Sequence, residues 1–268
     1  MGDGIQIREC VTIDEFDSCI RLQREVFGLP ELEISPRRHL IVSRQAGGWT
    51  LGAFVAEQLV GFVHHMAAVR EGNIFGYSHM MAVAREYQNK GVGAQLKWNQ
   101  RERALSEGRT FIKWTWDPMQ ARNAYFNLNR LGVTVRSYAA NFYGTDYVTS
   151  PLPEGAQPPG IDSDRLFAEW WLQSPRVMKL AQGGAPSNDV PSACAIQIPA
   201  DWTGLCREDP PAAREEQLRV RTEFQNAFAA GLFCAAFDRS TDEPRYLLYE
   251  TEAVNGRGLT TQVSQMIA

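Results

Sequence analysis

Residues 78–96 read SHMMAVAREYQNKGVGAQL. A short apolar run leads into a polar turn with two glycines, Gly91 and Gly93, and then into residues that continue only as a helix. A strand is thereby aimed at a glycine-rich helix start. The first turn of a helix leaves four backbone N–H groups unpaired and carries the positive end of the macrodipole. An anion belongs there. Neither glycine carries a Cβ, so a phosphate can come within hydrogen-bonding distance of the amides, and Arg85 and Lys90 add positive charge beside them.

The spacing excludes two common phosphate loops. A Walker loop needs a Lys-Ser or Lys-Thr pair after its last glycine, whereas Gly93 is followed by Ala94 and Gln95, and the nearby Lys90 precedes Gly91. A dinucleotide fingerprint needs a third glycine or alanine where this chain has Leu96. The remaining pattern, Met81-Ala82-Val83-x-x-Glu86-Tyr87-Gln88-x-Lys90-Gly91-x-Gly93, resembles the acyl-CoA pyrophosphate loop of the GNAT superfamily of N-acetyltransferases. That loop reads Gln/Arg-x-x-Gly-x-Gly/Ala after a hydrophobic strand. The resemblance implies acetyl-CoA, or another acyl-CoA, as co-substrate without a metal. It places Met81, Ala82, Val83, Gln88, Asn89, Lys90, Gly91, Val92, Gly93, Ala94 and Asn123 on that cofactor.

With 268 residues the chain suits one large domain, or one domain with a smaller appendage. No apolar run approaches the ~18–20 residues that span a bilayer, and Met1-Gly2-Asp3-Gly4 lacks a basic-then-apolar leader. A cytoplasmic protein without a membrane partner is expected. Cys10, Cys19, Cys194, Cys206 and Cys234 are odd in number and include no C-x-x-C pair, which suggests neither a disulfide framework nor a zinc site. A net charge of −4 argues against a general nucleic-acid binder. Positive charge is local, in Arg85, Lys90, Lys97, Arg101, Arg103 and Arg109.

In chain order, alternation at residues 5–10 predicts a strand, and Thr12 or Asp14 can cap a helix running to Phe27 before Gly28-Leu29-Pro30. A second helix is expected after Ser35-Pro36, ending near Gly47-Gly48. Strands at 49–56 and 59–69, turning at Glu57-Gln58, lead through Glu71-Gly72-Asn73 to the strand at 78–83. A helix is expected at 91–107 with Ala94, Trp98 and Leu105 opposite Val92 and Leu96. A strand at 110–116, a helix at 119–130 and a strand from Val133 follow. Alternation of strands and helices makes an α/β sheet, with the Gly91 loop and Asp117 at strand carboxyl ends. This order agrees with the GNAT fold, in which a meander precedes the cofactor loop and the strands before the loop and near Trp116 splay around the pantetheine arm. The expected class is α/β: a GNAT-type mixed, mostly antiparallel central sheet flanked by helices. A loop at 151–160, a strand at 166–172 and a linker at 182–188 come next. Beyond them a strand at 193–198, a helix at 212–230 and strands at 232–237 and 246–249 form a β-α-β-β extension. The expected domains are 1–175 and 190–268.

Residues 114–132, with Asn141-Phe142-Tyr143-Gly144 after them, look like a branch of bacterial predicted acetyltransferases with a C-terminal extension. Many GNAT enzymes place a tyrosine four residues before the glycine that ends this helix, to protonate the departing thiolate. Counting back from Gly132 gives Leu128, with Tyr125 three residues earlier. The chemistry implied is acyl transfer from a thioester to the amine of a small molecule such as an amino acid. Acetyl is the default acyl group, and succinyl is the alternative from the association of this branch with N-acylamino acid metabolism. A base must deprotonate the ammonium, and backbone N–H groups near 81–83 would hold the oxyanion. His79 and Asp117 are the candidates for base or amine recognition. Against this stand a hydrogen-bonded core role for His79 and helix capping for Asp117. His64 and His65 point to opposite strand faces, so they make no joint metal site. Leu128 motivates the rival, a non-catalytic acyl-CoA-binding or sensing module. A homodimer is left open.

Overall fold

The computed structural model describes residues 4–147, 159–185, 190–240 and 242–250. Most of the loop expected at 151–160, and residues 186–188 of the expected linker, lie outside the described residues. Contacts divide the chain into two compact units, the first running to Ile112 and the second beginning at Lys113.

The first unit opens with β1 (Gln6–Glu9) and α1 (Ile13–Phe27). Thr12 caps α1 in a reciprocal box with Glu15, and Gly28 closes it in the left-handed region at φ 59°. A 3₁₀ turn (Glu31–Glu33) precedes α2 (Arg37–Gln45). Next come β2 (Trp49–Val55), β3 (Gln58–Arg70) and β4 (Asn73–Val83). The β2–β3 connection is the two-residue turn Ala56-Glu57, both at positive φ, a backbone that follows the right-handed twist of its strands. These strands pair antiparallel in the order β1-β2-β3-β4. After the glycine turn comes α3 (Val92–Ser106).

Two apolar layers sandwich this sheet. On one face Phe16, Cys19, Ile20 and Leu40 of α1 and α2 meet Phe54, Phe62 and Ala82. On the other, Val92 and Leu96 of α3 meet Trp49, Leu51 and Val63. The later turns of α3 depart from the expected pattern, because they bury Lys97, Gln100 and Arg101 together with Ala104. The supposed basic patch is therefore dispersed. Lys97 and Arg101 are buried, Arg103 pairs with Glu9 and Glu107, and Arg109 pairs with Glu107. Hydropathy alone cannot show this, since it scores a buried lysine as a solvated one.

The second unit takes up β5 (Phe111–Trp116), α4 (Ala121–Tyr125) and a π-helical turn (Phe126–Arg130). Thereafter follow β6 (Tyr138–Ala139), β7 (Arg165–Trp171) and α5 (Pro175–Ala181). The extension contributes β8 (Cys194–Gln197), α6 (Trp202–Glu208), α7 (Pro210–Ala229), β9 (Leu232–Asp238) and β10 (Arg245–Glu250). Strand order is β5-β7-β6 in one layer and β8-β10-β9 in a second, small sheet. The extension thus has the expected β-α-β-β order with α6 added. The strand expected from Val133 is reduced to single bridges, Thr134 to Glu169 and Val135 to Cys234. That second bridge ties the extension inward: Val135 and Cys234 exchange two backbone hydrogen bonds of 2.9 Å. Asn129 Oδ1 accepts from the Phe237 N–H at 2.9 Å, and Arg176 donates to the carbonyls of Leu128 and Ala235. Contacts therefore group the extension with residues 113–147, across the boundary expected at 175–190.

Candidate active site

The loop after β4 is braced by its own side chains. Gln88 donates through Nε2 to the Val83 carbonyl at 2.9 Å, folding the 3₁₀ turn Arg85–Tyr87 back on the strand end. Asn89 and Gly91 both take positive φ, 60° and 85°. Gly91 is the N-cap of α3 and no side chain caps the helix. Its carbonyl accepts the first intrahelical bond, from the Gln95 N–H at 3.0 Å. The N–H groups of Val92, Gly93 and Ala94 precede that bond, at the positive end of a 15-residue helix. Gly91 and Lys90 are exposed, and the Lys90 ammonium stands 5.6 Å from the Tyr87 ring centre. Arg85 is turned toward Glu25. Uncapped amides beside one exposed ammonium suit a diphosphate.

Strand alternation divides the backbone groups of β4. Ala84 donates its N–H to Val60 of β3 at 2.9 Å. Alternation along the strand then turns Ala82 toward β3, and Met81 and Val83 toward the opposite edge. The side chains also divide: Met80 and Ala82 join the layer of α1 and α2, Met81 and Val83 the layer of α3.

His79 is the extra residue of a β-bulge. His64 faces Met80 and His65 faces Ser78, so two adjacent residues of β3 oppose three of β4. The bulge turns His79 to the α2 side, where its Nε2 lies 3.3 Å from Ser35 Oγ. Its ring is 5.4 Å from that of His39 and 6.1 Å from that of His64, and His39 and His64 are 5.2 Å apart. His64 Nδ1 bonds Thr50 Oγ1 at 2.8 Å, while Nε2 of both His39 and His64 is buried without a protein partner. Desolvation first, and His39 second, lower His79 to about 4. His79 keeps an exposed surface, so the direction of that shift, toward the neutral imidazole, is what matters for a base. No group of three or more His, Cys, Asp or Glu among the described residues is placed to hold a metal.

His65 turns the other way, as strand alternation requires. It stacks on Trp49 with ring centres 4.1 Å apart, and its Nδ1 meets Gln100 at 3.3 Å. Gln100 accepts from Lys97 at 2.6 Å, and Lys97 donates to Ser78 Oγ at 3.1 Å, directly before the bulge. Burial pushes Lys97 well down, so this polar network holds the strand beneath His79.

His64 and His65 are fully buried, and desolvation lowers each to about 3. The unfolded chain binds protons at these sites from about pH 6.5 downward and the folded chain does not. Their stabilisation is complete above pH 6.5 and is lost as pH falls toward 3. Between pH 6.5 and 5 each should cost about 2 kcal/mol. Urea titrations at the two pH values would measure this, and His65→Phe, which keeps the stack on Trp49, should flatten the slope. An unchanged slope would place the titrating groups elsewhere.

The other predicted residues lie in the second unit. Asp117 accepts from the Met119 N–H at 2.9 Å and from Gln120 Nε2 at 3.3 Å, and burial raises its carboxyl. It stabilises the turn after β5. Asn123 is exposed on α4. Leu128 is fully buried within the π-helical turn. Sequence reasoning missed Ser35, His39 and the bulge, since residues some forty positions apart meet only through pairing of the sheet and docking of α2. It also missed the π turn, which no residue type announces.

Residues 16–128 match the family model described as the acetyltransferase (GNAT) family. A solved structure from Desulfovibrio desulfuricans, assigned to the GNAT acetyltransferases, superposes with a TM-score of 0.50 at 14% identity. The match covers 63% of this chain and 99% of that one. A GNAT family acetyltransferase from Elizabethkingia anophelis with acetyl-CoA bound gives a TM-score of 0.46 at 19% identity, over 63% of this chain and 99% of that one. The comparison with curated proteins gives no match. Over residues 16–128 the chain is similar to the GNAT acetyltransferase family. Those residues hold the bulged antiparallel sheet that ends in a glycine-started helix.

Proposed function

We propose that the protein is an acyl-CoA-dependent N-acyltransferase that moves an acetyl group from the CoA thioester to the amine of a small molecule, with succinyl as the alternative acyl group. The uncapped start of α3 at Gly91, directly after bulged β4, carries this reading. The CoA diphosphate lies on the N–H groups of Val92, Gly93 and Ala94, with Asn89 and Lys90 beside it. Gln88 serves by holding the loop to Val83. The Met81 and Val83 amides hold the acyl arm and the developing oxyanion. His79, neutral near physiological pH, takes the proton from the attacking ammonium.

Thiol release from acetyl-CoA and succinyl-CoA, with and without pooled amino acids and polyamines, tests the reading. Amine-dependent release is expected. Retained CoA binding without release would favour a non-catalytic acyl-CoA-binding module, the reading supported by a buried Leu128 at the position expected of the acid.

A further inference from the structure

A groove of about 900 Å³ runs between α1 and α2. Its apolar lining is Ile20, Ile34 and Ile41, and its rim carries four arginines and two carboxylates. Both carboxylates are already engaged. Asp17 holds Arg37 through two bonds, 2.9 and 2.8 Å, and Glu31 holds Arg24. That leaves two guanidinium groups without a carboxylate. Arg21 donates to Ser18 Oγ at 2.7 Å, and Arg38 makes no hydrogen bond or ion pair among the described residues. Two planar, permanently charged forks over an apolar floor match a ligand with a carboxylate at one end and a hydrocarbon body.

The wall of the groove also borders the partner of the candidate base. Ile34 and Pro36 of its wall flank Ser35, whose hydroxyl meets His79. Neither Ser35 nor His79 lines the groove itself, so a molecule reaching both ends carries its charge several bonds from its nitrogen. Resting on the acyltransferase reading above, we propose that the acceptor is an amine with a remote carboxylate. Arg21 and Arg38 hold the carboxylate, an apolar segment lies on Ile20, Ile34 and Ile41, and the amine reaches His79. The neighbouring Asp17 and Glu31 favour such a ligand over polyanions, because each added charge meets a carboxylate already on the rim.

Titration calorimetry on the CoA-saturated protein tests this without requiring turnover. The probes are ω-aminoalkanoates of four to eight carbons, each matched with the n-alkylamine of equal length. At the best length the aminoalkanoate should bind about tenfold more tightly, the scale of one charge-assisted pair. Arg21→Gln/Arg38→Gln should erase that advantage while leaving CoA affinity and alkylamine binding unchanged. Both arginines are exposed, so the fold should tolerate the change. Equal binding of the matched pairs, no binding of either, or an advantage that survives in the double variant would overturn the assignment. Thiol release on the same pairs separates the two claims. Selective binding without release would count against acyl transfer and leave the groove standing, whereas release with no preference would count against the groove alone.

Discussion

Gly91→Val is expected to weaken CoA binding by about 5- to 100-fold while the protein remains folded. Gly91 sits at φ 85°, where a β-branched residue carries roughly 1–3 kcal/mol of strain, and tenfold in affinity corresponds to about 1.4 kcal/mol. A Cβ built on Gly91 meets nothing within 4 Å, and the residue is exposed, so the change crowds no core atom. The strain is relieved by letting the first turn of α3 unwind, which scatters the three amides proposed to hold the diphosphate. The contrast is Gly93, whose added Cβ would meet Met81 Cε at an ordinary 3.6 Å; Gly93→Ala should therefore weaken CoA less. Calorimetry with CoA, alongside thermal unfolding of each variant, measures both effects. Equal affinities for wild type and Gly91→Val would show that the anion binds elsewhere.

His79→Gln is expected to lower kcat by about 10²-fold or more, the range of a lost general base, with the KM for acetyl-CoA little changed. With a pKa near 4, His79 is already unprotonated above pH 5. The wild-type profile of kcat/KM should then show no histidine step between pH 5 and 8. A step near 6.5 that His79→Gln abolished would show that the imidazole titrates as if free in water. A kcat unaffected by the substitution would remove His79 from the chemistry.

Much of the glycine loop before α3 was legible in the chain itself. Gly91 and Gly93 after an apolar run mark a strand aimed at a helix start, because glycine takes the left-handed φ found at 91 without steric cost and because Leu96 and Ala94 exclude the other phosphate loops. The capping box of Thr12 and Glu15 and the αL stop at Gly28 were legible for the same reason: local backbone chemistry is written in adjacent residues. So were the three strands before the loop, through their alternation, and the opposed directions of His64 and His65.

Tertiary structure decided the rest. Burial of Lys97, Gln100 and Arg101 depends on what α3 packs against, and no periodicity of hydropathy reports it. The bulge that turns His79 toward Ser35 and His39 is a mismatch of one residue between β3 and β4, visible only once the register is known. The Arg21 and Arg38 pair stands open because other arginines take the carboxylates of Asp17 and Glu31 across a gap between helices. The sequence thus determined the strand, the glycine turn and the helix start at 78–96, since they depend on the backbone of a few consecutive residues. Which side chains surround His79 was settled by folding, since that depends on residues brought together from distant parts of the chain.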